Sequence, residues 1–384
     1  MSVAYINGSI LAWARQRAGI SSDTLVDKIH KNYLEWEEGV SLPTFKQAQK
    51  IAKKLSIPFG FLYLKEPPVI EQATTDLRTI KDFDHHEYSI DLQAILEDAI
   101  RKQDWYIDYL KDDDTEVLPF VGKYSLDSPV KEIANDISHV LNFSLSDRQG
   151  RTPEEFLRQL AGKAEDCGII VLRNGKVGYN TRRTLDANEF RGFALPDPLA
   201  PLVFINTADY VPAQVFTLMH EIAHIWLNKG GVSSVGIINH SHNRTEKKCN
   251  DIAAEVLVPE ENFIELWTQD DDSLDEKTTQ LSKFFKTSKI VIARRATDLE
   301  FITKKDLASF YGLLAARWNN KKANSTKPGG PSFYTTFPVI NSKIVTDAVC
   351  RSIYSGKLLM NNGARLLGTT PKTLDNIAKS RGLN

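Results

Sequence analysis

The segment Phe216-Thr-Leu-Met-His-Glu-Ile-Ala-His-Ile-Trp-Leu227 holds His220, Glu221 and His224 in the order His-Glu-x-x-His. On a helix, residues four apart lie about 40° apart on one face, so both imidazoles can reach one metal ion. Glu221, one residue further round, can touch a water held there. A catalytic zinc takes three protein ligands and keeps a position open, and zinc hydrolases that cut amide bonds use this spacing. Two histidines and a glutamate buried in one helical turn without a partner would cost on the order of several kcal/mol. A metal removes that cost, so Zn2+ is the expected cofactor.

The third ligand should come from Thr245-Glu-Lys-Lys-Cys-Asn-Asp-Ile-Ala-Ala-Glu-Val-Leu-Val-Pro259. Thr245 can cap this helix and Pro259 ends it. Glu246 and Glu255 are nine residues apart and fall on opposite faces, so only one can point at the metal. Asn250 shares the face of Glu246 and could support a histidine ligand, while Ala253 continues that face with a small residue. Glu246 is therefore the expected ligand and Glu255 the alternative. Glu221 is the expected general base, accepting a proton from the attacking water and passing it to the leaving amine. Spacing does not single out a further group to stabilise the transition state: Tyr210, His240, His242 and Arg295 are the candidates.

These groups need a scaffold. A helix around Phe156, Leu157, Leu160 and Ala161 leads into a short buried strand, Ile169-Ile-Val-Leu172. Phe190-Arg-Gly-Phe193 and Pro201-Leu-Val-Phe-Ile205 are two more strand candidates, and Pro212 stands at the start of the motif helix. Helix, three strands and motif helix predict an α+β zincin-like core with a small sheet over residues 151–318, within a multidomain and mainly α chain. Residues 1–68 read as short helices with Ile10, Leu11 and Ala14 inward and a stop at Gly19. Ser21 or Ser22 starts the next helix, and Thr44 to Leu55 forms another, with Phe45, Ala48, Ile51, Ala52 and Leu55 inward. Residues 69–150 read as a helical, acidic connecting region with a loop at Asp112-Asp-Asp114, and the His85-His86 pair reads as solvated. The Lys-Pro-Gly-Gly-Pro stretch marks a linker over 319–332, and 333–384 reads as a basic helical domain with two helices around a turn.

Two resemblances follow. Trp36-Glu37-x-Gly39, Pro43-Thr44 and Ile51-Ala52 resemble an Xre-type helix-turn-helix over about sixty residues. The stretch between Val26 and Trp36 is about three residues shorter than that family's turn and recognition helix. His30 to Gly39 also carries one lysine against Glu35, Glu37 and Glu38, a charge ill suited to approaching phosphates. Secondly, Arg191-Gly-Phe193, Asn206, Phe216-Thr-Leu, His220-Glu-x-x-His224 and Glu246-x-x-Cys-Asn250-x-x-Ala-Ala-Glu-x-Leu-x-Pro259 resemble, in order, the ImmA/IrrE family of zinc metallopeptidases. With Asp76-Leu-Arg-Thr79 and the flanking helices, the chain looks like that family's long form. The resemblance implies that His220, His224 and Glu246 bind the metal and Glu221 is catalytic. It also implies narrow proteolysis of a regulatory protein, such as a helix-turn-helix repressor of a mobile element, stress or defence switch. The alternative is an antitoxin or transcriptional regulator that binds a neighbouring toxin (a PIN-like nuclease) or DNA, with the peptidase fold as scaffold.

Bulk properties bound the rest. The chain has 384 residues, 42% hydrophobic and 25% charged, which describes a globular protein of several domains. No apolar run reaches membrane-span length and no leader pattern opens the chain; with three scattered cysteines, a reducing cytoplasm is expected and no membrane partner. The net charge of −1 hides a basic end: from residue 321 onward ten Lys or Arg face only Asp347 and Asp375. That block suggests nucleic acid or an acidic partner.

Overall fold

The computed structural model describes residues 2–18, 20–55, 57–68, 88–233, 244–269, 272–322 and 333–383. Gly19, His85-His86, Asp76 to Thr79, His240 and His242 lie outside the described residues. Two compact units divide the chain, 1–97 and 98–384.

The first unit contains α1 (Gly8–Arg17), α2 (Ser22–Lys28), α3 (Tyr33–Glu37) and α4 (Phe45–Lys54), followed by a 3-10 turn at Phe59–Tyr63. Side-chain oxygens start three of the helices: Asn7 accepts from Ser9 N–H, Ser21 from Thr24 N–H, and Thr44 shares a capping box with Gln47. Ile10, Leu11, Leu25, Tyr33, Trp36 and Ile51 form the core. Glu37 turns back to Arg15, whose Nη2 and Nε donate at 2.7 and 2.9 Å to its two oxygens. Phe45, expected inward, is instead 41% exposed. It is the first residue of α4, before the apolar stripe of Ala48, Ile51 and Ala52 closes on the core.

α5 (Ile90–Lys111) crosses the boundary between the units. The second unit continues with α6 (Val130–Val140), α7 (Pro153–Asp166), β1 (Ile170–Asn174), β2 (Gly192–Leu195), β3 (Leu202–Asn206), α8 (Val211–Trp226), β4 (Gly231–Ser233) and α9 (Arg244–Leu257). Then come α10 (Glu260–Trp267), α11 (Leu274–Phe285), α12 (Lys289–Asp298), α13 (Lys304–Lys322), α14 (Phe333–Asn341), α15 (Lys343–Tyr354), α16 (Met360–Leu366) and α17 (Pro371–Ser380). The fold is mainly helical around a small mixed sheet of order β1-β3-β2-β4. β1 pairs parallel with β3, and β2 runs antiparallel between β3 and β4. Three strands lie within two residues of the expected ones; β4 was not anticipated, being three residues long with no periodicity to read. Among the described residues no helix is long and apolar enough to cross a membrane.

The core explains why α8 sits at the centre. Val215, Leu218, Met219, Ile222, Ala223 and Trp226 are buried, and so are the polar Thr217, His220, Glu221 and His224, so α8 is covered on all sides. Strands β2 and β3 cover one flank, α7 and α6 others, and α9 lies alongside. Residues 98–150 take part in this core, although they were expected only to connect. Phe120 stacks on Trp226 with centroids 4.4 Å apart, and Asp136 accepts from Trp226 Nε1–H at 2.8 Å. Residues 333–384 also belong to the second unit: Asn341 Nδ2–H donates to Tyr179 Oη at 2.7 Å, and Glu165 accepts from Lys343 N–H at 2.7 Å and from the Ser342 hydroxyl. Glu165 thus serves α15 as an N-terminal cap supplied from α7.

Arg148 is the largest fully buried charged side chain among the described residues. Its Nη2–H donates to Val256 O near the end of α9 at 3.2 Å, and its guanidinium lies 5.1 to 5.8 Å from the ring centres of Phe143, Phe156 and Phe285. Burial pushes the group down to about 9. Partial hydrogen bonding of a buried cation is a poor exchange for water. Arg148→Met is therefore expected to hold stability within about 1 kcal/mol of wild type or raise it, whereas Arg148→Ala should cost roughly 2–4 kcal/mol through the cavity it opens. Urea denaturation of the two variants checks this, and a large loss in Arg148→Met would show the charge itself to be stabilising.

Candidate metal centre

His220 and His224 project from the buried α8, and Glu246 from the first turn of α9. Glu246 straddles the two rings: one oxygen lies 3.2 Å from His220 Nε2 and the other 3.3 Å from His224 Nε2. The two ring nitrogens are 3.1 Å apart. A tetrahedral zinc with ligands at about 2.0–2.1 Å has ligand–ligand edges of about 3.3–3.4 Å, so these donor atoms already outline one face of such a site. Among the described residues this is the one His/Cys/Asp/Glu group close enough to hold an ion.

Proton positions sharpen the fit. His224 Nδ1 lies 2.8 Å from the Lys229 carbonyl, which can only accept, so that nitrogen carries a proton. In the neutral ring Nε2 is then a lone pair facing another imidazole and a carboxylate. Acceptors crowded together need a cation between them, and a ring held by a backbone carbonyl is the usual support of a metal-binding histidine. The electrostatics agree. Burial works against a charged His224, yet Cys249, Glu246 and Glu221 outweigh it and push the imidazole well above its ordinary value. Burial likewise opposes a charged Glu246, but the two histidines hold its carboxyl well below the usual carboxylate range. The residues present fit a divalent metal with nitrogen and oxygen preference.

Glu221 is fully buried beside this group. Strand β2 comes unusually close: a Cβ on Gly192 would stand 2.9 Å from Glu221 Oε1 and 2.8 Å from both Thr217 Cγ2 and Phe204 O. Only glycine leaves the carboxylate its place. Gly192→Ala should therefore cost about 1–3 kcal/mol by overpacking and displace Glu221, with zinc affinity little changed. Thermal unfolding and zinc titration read the two effects; an alanine variant with unchanged stability would show that the sheet has room to yield.

The remaining candidates are placed elsewhere. Glu255 lies on the opposite face of α9, ion-paired with Arg295 and accepting from Glu260 N–H at 3.3 Å. Neither Glu255 nor Arg295 belongs to the metal group, because each neutralises the other on the far side of the helix. Tyr210 precedes the first turn of α8 and is 51% exposed. Ten residues of helix separate it from His220, about 15 Å along the axis. Asn250 shares the Glu246 face without a hydrogen bond to either histidine; Cys249, fully buried, meets His224 in addition to Glu246. Burial pushes the Cys249 thiol up. Thr245 lies inside α9, which starts at Arg244, and Pro259 caps the following helix. The sequence pattern assigned no role to Cys249, Gly192 or the Lys229 carbonyl. The signal available for Cys249 was its position three residues after Glu246, and for Gly192 its place between Arg191 and Phe193.

Residues 164–297 match the family described as the IrrE N-terminal-like domain, a peptidase family. Residues 341–380 match a domain of unknown function (DUF8813). A search of curated proteins finds no match to the chain. The matched peptidase domain contains His220, Glu221, His224 and Glu246, and supports a metallopeptidase-type function in general.

Proposed function

We propose that the chain is a zinc-dependent endopeptidase that hydrolyses a peptide bond in one regulatory protein, with a helix-turn-helix repressor as the substrate class. The observation that carries this reading is the meeting of His220, His224 and Glu246 from two helices beside a buried Glu221. Zinc, when bound, supplies Lewis-acid polarisation of the scissile carbonyl and acidifies water. His220, His224 and Glu246 would hold it. Glu221 accepts one proton from the water that attacks the carbonyl carbon, and the C–O bond forms. The same carboxyl group then returns that proton to the amide nitrogen as the C–N bond breaks, so acid and amine leave balanced. The absence of a side chain at Gly192 leaves the carboxylate its place, and the packing around α8 keeps bulk water from it.

Purified zinc-loaded protein incubated with a repressor encoded beside its gene should give a single cut, located by mass spectrometry of the fragment ends. No cut in any neighbour-encoded protein would overturn the substrate class. A second reading, an antitoxin or regulator that binds a neighbouring toxin such as a PIN-like nuclease, draws support from the extent of helical chain outside 164–297. Toxin neutralisation that survives His220→Ala would favour it.

A further inference from the structure

Three helical hairpins in this chain have the length and tight turn of a helix-turn-helix, and they differ in what their second helix presents. In the first, α2 to α3, the second helix has five residues, buries Tyr33 and Trp36, and offers glutamates. In the second, α11 to α12, Lys286 makes the turn in the left-handed region, but Val291, Ile292, Ala293, Arg295 and Ala296 are all buried. Its bases are engaged as well: Lys289 with Asp275, Arg294 with Asp298, and Arg295 with Glu255. Neither helix can enter a groove of DNA.

The third, α16 to α17, is built differently. The turn runs through Leu367, Gly368, Thr369 and Thr370, with Gly368 at φ +64° and Thr370 capping α17 by accepting from Thr373 N–H. A four-residue turn containing glycine is the joint of DNA-reading helix pairs. α15 completes a three-helix unit and crosses α16 closely: a Cβ on Gly363 would lie 2.7 Å from Ile353 Cδ1 and 3.0 Å from Val349 Cγ1. Leu374, Ile377 and Ala378 hold the inner face of α17. Its outer face carries Lys372, Asn376 and Lys379 at i, i+4 and i+7, all exposed.

Charge follows the same face. Residues 341–381 carry seven Lys or Arg and two Asp. Both acids are occupied within the unit: Asp347 accepts from Arg381 at 2.7 Å, and Asp375 accepts from Lys379 and the Tyr354 hydroxyl, each at 2.7 Å. Lys357, Arg365 and Lys372 are exposed and have no acidic partner among the described residues. They lie before α16, on α16 and on α17, which is where a first helix crossing the backbone and a second in the groove meet phosphates.

We propose that α16 and α17 form a duplex-DNA-binding surface, with α17 in the major groove, Asn376 facing base edges, and Lys357, Arg365 and Lys372 on phosphates. An exposed Asn on such a helix suits the paired donor and acceptor of adenine.

The full-length protein should bind a labelled mixed-sequence DNA duplex, with log K falling linearly in log salt. Arg365→Glu with Lys372→Glu should weaken binding about 10-fold or more and reduce the salt slope by about 2. Lys304→Glu with Lys305→Glu on α13 makes the same charge change elsewhere and should leave both nearly unchanged. In selection from a random duplex pool, Asn376→Ala should relax the preference at one base pair, on the order of 10-fold. Glu221→Gln should bind as wild type does, so this surface and the peptidase reading stand or fall separately. Absence of duplex binding at low salt, equal losses in the two charge-reversal pairs, or tighter binding to single-stranded RNA or heparin than to any selected duplex would each overturn the proposal. Circular dichroism of each variant shows that the exposed substitutions leave the helices folded.

Discussion

Glu221→Gln is expected to lower peptide-bond hydrolysis about 100- to 10,000-fold while leaving zinc binding intact. Glutamine has the volume of glutamate, so it fits the same space beside Gly192 in a pocket where Glu221 has no exposure. It differs in what it can do with a proton: an amide accepts none at neutral pH. The three candidate metal ligands are untouched, so metal content measured on the purified variant should equal that of wild type. Single-turnover cleavage of the proposed repressor substrate separates the chemical step from binding. Equal cleavage by variant and wild type would remove Glu221 from the mechanism. A parallel loss of zinc would instead make its role one of supporting the site.

The second large effect concerns the metal and its third ligand. Zinc at a hundred times its dissociation constant should stabilise the wild-type protein by about 2.7 kcal/mol, on the order of 5–10 °C for a unit of this size. His220→Ala and Glu246→Ala should each abolish that shift, because two donors leave the ion to water. Glu255→Ala should keep the full zinc-dependent shift from a lower starting point, since it only strips Arg295 of its partner. Scanning calorimetry with and without zinc, after a chelator wash, distinguishes these outcomes. If Glu255→Ala lost the shift and Glu246→Ala retained it, the assignment of the third ligand would be reversed.

Much of the site was legible because helical geometry is local. His220 and His224 share a face by spacing alone, and the nine-position separation of Glu246 and Glu255 puts those carboxylates on opposite sides of any helix that holds both. The apolar run of α8 required burial, and the short strands before it were marked by β-branched and aromatic residues between turn formers. The metalloprotease pattern needed no tertiary information beyond the assumption of two helices side by side.

Residue types and their periods along the chain thus determined the two helices that carry the candidate ligands, the choice between the two glutamates and the strands that flank them. Tertiary structure alone decided which atoms meet. It placed Cys249 against His224, tied His224 Nδ1 to the Lys229 carbonyl, set Gly192 against Glu221 and sent Arg295 to Glu255. It also showed which of three similar helical hairpins keeps its second helix exposed, a property that depends on what packs over each one. The reason is physical: spacing fixes a side chain's direction from its own helix axis to within a few tens of degrees. A hydrogen bond or a ligand distance is set by how two axes cross, and that follows from packing contributed by the whole unit.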